Sequence, residues 1–133
     1  MAKQSQIIQV NPEREARFGI SAMVRAGDTL YVSGLLSVDD EFKLIGPGDM
    51  AAQIARIYDR LEATLAVAGA DLTNIVSEVS YTTDVEALAV ASHVRDERYQ
   101  QAKAAPPVAT AVEVRGLFLS GALLELVATA YMG

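Results

Sequence analysis

Pro106 and Pro107 stand side by side, ahead of Val108-Ala109-Thr110-Ala111-Val112-Glu113-Val114-Arg115-Gly116-Leu117. Proline fixes φ and has no N–H to donate, so no helix runs through this pair. The residues after it alternate with a period of two, which predicts a strand entered abruptly. Thr110, Val112 and Val114 fall on one side of that strand, expected to be its core side, and Ala109, Ala111, Glu113 and Arg115 fall on the other. Two alanines open that second side, leaving room near its start for something besides a side chain.

Elsewhere the chain alternates between strand-like runs and two helical segments. Gln6–Val10 predicts an edge strand that the turn at Asn11-Pro12 ends, and the charged residues 13–17 follow. Ile20–Arg25 and Leu30–Leu36 flank Ala26-Gly27-Asp28-Thr29, the pattern of a β-hairpin. Ser33-Gly34 interrupts its second strand, where glycine marks either a bulge or the close approach of another group. After the acidic corner Asp39-Asp40-Glu41, Asp49 caps a helix whose apolar residues recur at Met50, Ile54, Ile57, Leu61, Leu65 and Ala68 and which Gly69 ends. Its other face, with Arg56, Asp59, Arg60 and Glu62, is expected to be solvated. Residues 74–84 form a strand. Asp84 caps a second, more exposed helix over 86–103, and the final run 122–131 is nearly continuous in apolar residues, as in a strand buried on both faces.

Composition narrows the function. With 17 acidic and 11 basic residues, a net charge of -6 and no local basic patch, the chain is expected to repel phosphate backbones and anionic membranes. It has no cysteine, hence no disulfide and no thiol nucleophile, and its one histidine, His93, is expected at the surface rather than in a metal site. The polar start Met1–Gln6 lacks the apolar run of a signal peptide, so the expected location is cytoplasmic, and 133 residues suit one domain over 1–133. No cofactor and no metal are expected.

The predicted order is three strands, a helix, a strand, a helix and two strands, which gives a mixed sheet in an α/β or α+β protein. Two helices cover one face of such a sheet. The apolar second face must therefore meet other copies, which predicts a homo-oligomer with sites at the seams. Glu125, the one charge in the final apolar run, requires a partner or water, because an unpaired buried carboxylate is strongly disfavoured.

Gly27-Asp-Thr-Leu-Tyr-Val-Ser-Gly34, the helix ending in Ala68-Gly69-Ala-Asp, Tyr81-Thr-Thr-Asp84, Pro107–Glu113 and Glu125, in this order, resemble the RidA/YjgF family, also labelled reactive-intermediate imine deaminase or endoribonuclease L-PSP. The resemblance implies a chorismate-mutase-like fold with two helices on one face of the sheet, and a homotrimer with a central barrel and clefts between subunits. It implies that Ser33, Gly34, Pro107, Val108 and Thr110 line the cleft and that Glu125 holds or activates water. The arginine with which the family binds substrate carboxylate falls on Ala109, its cleft tyrosine on Ile20 and its helix asparagine on Ser92. Alanine offers nothing comparable to a bidentate guanidinium. Arg115 shares the face of Ala109 but lies about 20 Å along the strand, and pairing with Glu125 across a hairpin is the alternative role for both.

The resemblance so read implies a trimeric protein that binds a small metabolite in its clefts without amino-acid imine deaminase activity. The alternative is an enamine or imine deaminase, a hydrolase acting on a different substrate through Glu125. An endoribonuclease ranks last on charge.

Overall fold

The computed structural model describes residues 5–133, and the chain start before Ser5 lies outside them. Its centre is a six-stranded sheet of order β1-β2-β3-β6-β4-β5. The strands are β1 (Ser5–Ile8), β2 (Met23–Ala26), β3 (Thr29–Leu35), β4 (Ile75–Thr82), β5 (Val108–Glu113) and β6 (Leu124–Tyr131). β4 and β5 are parallel and every other pair is antiparallel, so the sheet is mixed as expected. β6 inserts between β3 and β4 and does not pair with β5, which removes the hairpin route by which Arg115 was to reach Glu125.

Helix α2 (Met50–Val67) is the slab that covers the sheet. The Asp49 side chain accepts from the Ala52 N–H at 3.0 Å, and Gly69 leaves the helix at φ +73°, the left-handed turn that glycine takes without a Cβ clash. Ile54, Ile57, Leu61 and Leu65 on one stripe of α2 pack on Leu30, Val32, Leu124, Leu126 and Ala128 of the sheet, all buried. The β2–β3 turn has positive φ at Gly27 and not at Asp28, the requirement of a type II′ turn.

Four expectations are corrected. Residues 13–17 belong to a helix, α1 (Pro12–Phe18): the Asn11 side chain caps it and Pro12 occupies its first turn, where a missing N–H is harmless. The single helix over 86–103 is two, α3 (Val85–Val90) and α4 (His93–Gln101). They part at Ala91-Ser92, where the Ser92 Oγ donates to the Ala89 carbonyl at 2.9 Å instead of capping α4. The third concerns β5, which is exposed along its whole length. Its partners in register show why: Ala109 pairs with Glu78 and Ala111 with Ser80 on the helix side, so Val108, Thr110 and Val112 share the uncovered side with Val79 and Tyr81. The face expected to be core is the open one. β6, expected to be buried on both faces, is fully buried on one only, and its other face is half-buried and ends on the exposed Tyr131.

Candidate functional site

The residues singled out in the sequence gather in two places. The first lies around the bulge in β3, where the register with β6 shifts between Val32 and Leu35. A Cβ on Gly34 would stand 2.9 Å from the Glu125 Oε2, so the glycine makes space for that carboxylate to lie across β3. Glu125 is half-buried and takes no hydrogen bond or ion pair from the described residues, and burial raises its pKa above the ordinary carboxylate value. Ser33, Gly34 and Ile20 open onto a cavity of about 640 Å³ bounded by α1, α2 and the segment after β3.

The second place is the alanine face of β5. Ala109, Thr110, Ala111 and Ser92 line a cavity of about 350 Å³ under α3, floored by Ile54 and Leu126. The room that two alanines were expected to leave is there. Pro107 and Val108 stand at the entry to the same strand but line neither cavity. His93 is exposed, with Nδ1 3.3 Å from the Val90 carbonyl oxygen.

Glu78 went unnoticed in the sequence. It is 2 % exposed and accepts from the Tyr58 and Tyr99 hydroxyls at 2.6 Å each and from the Arg95 Nε at 2.8 Å. Burial, then the charge of Glu78, raises the pKa of both tyrosines, which stay protonated donors. Burial works against the charge of Arg95, but Glu78 outweighs it and the guanidinium is held cationic over the Tyr99 ring at 5.0 Å. Arg95 lines the Ala109 cavity, with Nη1 3.2 Å from Asp96. A guanidinium thus stands beside the alanine, delivered from α4 rather than from β5. The one available signal was a glutamate inside a predicted strand.

The two places are far apart on one chain. β3 and β5 are separated by β6 and β4, three strand spacings or about 14 Å. Each holds part of the expected residue set and neither holds all of it. Among the described residues no group of carboxylates and histidines suits a metal ion, and no helix is long and apolar enough to cross a membrane.

A mixed sheet with its helices on one face, an uncovered apolar face and a strand bulge facing a lone glutamate defines an α+β protein of the chorismate-mutase-like kind. The family model described as endoribonuclease L-PSP matches residues 9–132. A RutC family protein of Pyrococcus abyssi is 32% identical over 111 residues, 84% of each chain. A member of the YjgF/YER057c/UK114 family from Mycobacterium tuberculosis superposes with a TM-score of 0.77 at 30% identity, covering 96% of this chain and 98% of the other. The YjgF gene product of E. coli does so with a TM-score of 0.85 at 22% identity over 96% and 99%. The chain belongs to the RidA/YjgF (endoribonuclease L-PSP) family.

Proposed function

We propose that this protein assembles as a homotrimer and binds a small metabolite in clefts between its copies, and that it does not hydrolyse amino-acid-derived imines. The observation that carries this reading is the division of the site: Ile20, Ser33, Gly34 and Glu125 lie around the central strands β3 and β6, and Ser92, Pro107, Val108, Ala109 and Thr110 around the edge strand β5. A second copy whose β5 edge docks against β3 and β6 of the first brings the halves together. The uncovered face, with Tyr31 53 % and Val112 40 % exposed, supplies apolar surface for the assembly. Ala109 leaves the cleft without a strand-borne guanidinium, which removes a bidentate hold on a substrate carboxylate. The expected location is cytoplasmic, without cofactor, membrane or nucleic-acid partner. Supplied with 2-aminoacrylate by a serine dehydratase, the protein should not speed pyruvate release; a clear acceleration overturns this reading.

The state of Glu125 favours a second reading. A half-buried carboxylate with a raised pKa and no partner among the described residues is suited to take a proton from water and return it to a departing amine. On this reading water adds to the C=N carbon, the C–N bond breaks and ammonia leaves, as in hydrolytic deamination of an enamine or imine. Any turnover found should then fall by about a hundredfold or more in Glu125→Gln; unchanged turnover excludes it.

A further inference from the structure

The face of α2 expected to be solvated is half-buried at two arginines. The Arg60 Nη1 donates to the Leu36 carbonyl at 2.7 Å, the Arg56 Nε to the Val38 carbonyl at 2.9 Å, and from α1 the Arg14 Nη2 to the Asp39 carbonyl at 2.6 Å. Three guanidinium groups therefore converge on one four-residue stretch of backbone, and all three line the cavity that Ser33 and Gly34 open onto. Each makes a single side-chain hydrogen bond to the described residues out of five N–H donors, and no described carboxylate lies within 4.0 Å of any of them. No buried side-chain nitrogen among the described residues lacks a partner, so the unused donors reach open space.

Nearby acids do not neutralise the cluster by contact. Both oxygens of Glu15 are taken by the backbone N–H groups of Val10, Asn11 and Ala22, and Asp59 is held by Arg98 at 2.7 Å. Asp40 and Glu13 stand exposed at the rim. Burial, followed by repulsion from Arg14 and Arg56, lowers the pKa of Arg60 to about 10. Like charges held together in a half-buried cavity are relieved by an anion. The lining also includes the apolar Phe18 and Ile20. The backbone hydrogen bonds, together with Arg14 over the Phe42 ring at 5.6 Å, fix the guanidinium groups before any ligand arrives.

We infer that Arg14, Arg56 and Arg60 form a binding site for the oxyanion head of a small ligand whose apolar body lies against Phe18 and Ile20. The inference names the ligand class for the Ser33 and Gly34 half of the proposed cleft and rests on that reading only for the cavity they share. The site is complete within one chain, so it does not depend on assembly.

Calorimetric titration with phenyl phosphate, benzoate and neutral benzamide tests it. At least one of the two anions should bind, the stronger identifying a phosphate ester or a carboxylate as the head, with benzamide at least about tenfold weaker and the affinity falling as salt rises. Arg60→Gln and Arg56→Gln should each weaken the anion by about tenfold or more, while Arg115→Gln, just beyond β5, leaves it unchanged. Where Arg60→Gln does not fold, Arg56→Gln carries the same prediction. Absence of anion binding, equal binding of benzamide, or full affinity in the arginine variants that fold overturns the inference. A stable trimer that fails this titration leaves the cleft reading standing, and a monomer that passes it leaves the anion site standing.

Discussion

Glu78 and Glu125 are carboxylates on neighbouring strands and opposite faces of one sheet, and their surroundings give them opposite parts. Glu78 has three donors and little water, the arrangement that keeps a buried charge tolerable. Removing one donor leaves the charge under-compensated, so Arg95→Gln should destabilise the chain by about 3 kcal/mol, and Tyr99→Phe, which loses one charged hydrogen bond, by about 1–3 kcal/mol in urea denaturation. Among the described residues Glu125 has no partner, and burial raises its pKa. A carboxyl that is harder to ionise folded than unfolded stabilises the fold below its ordinary value, and that stabilisation is lost as pH climbs through the raised one. Glu125→Gln should therefore melt progressively above the parent protein as pH rises from about 4 toward neutral; a difference that does not change with pH contradicts the assignment. Glu125 was legible in the sequence because it is the single charge in an apolar run. Glu78 was not, because Ser77 and Ser80 beside it make a glutamate look like one more polar position of an alternating strand, and its partners lie 17 to 21 residues away.

At the level of elements, the sequence was most legible where local chemistry decides the outcome. The cap at Asp49, the apolar stripe of α2, its stop at Gly69 and the hairpin turn at Gly27-Asp28 are local, and all were found. The signals for α1 were equally local, but Asn11-Pro12 suits a turn as well as a helix start. Because α1 carries Arg14 and the buried Glu15, its cap has a role beyond its own seven residues. Asn11→Ala should cost about 1 kcal/mol by urea denaturation. What the sequence did not disclose was which side of β5 faces the helices, since that follows from its pairing with β4, each residue with one 31 positions earlier, rather than from its own alternation.

On the scale of the whole molecule, one sheet is covered on one face and bare on the other, with candidate residues at its central strands and at its β5 edge. Val112 shows how the two levels separate. It is exposed in the single chain, so Val112→Asp should change chain stability by about 0.5 kcal/mol or less while shifting the assembled protein toward monomers in sedimentation. That an uncovered face would exist was legible from counting two covering helices against apolar strands. That the candidate residues would divide into two groups was not, because strand order is settled by long-range pairing.

The chain has no cysteine, which makes the division directly testable. One copy carrying Ser33→Cys and another carrying Thr110→Cys, co-expressed and treated with a short bismaleimide, should yield a covalent pair joining the two different chains. A mixture in which those chains stay separate contradicts the shared cleft.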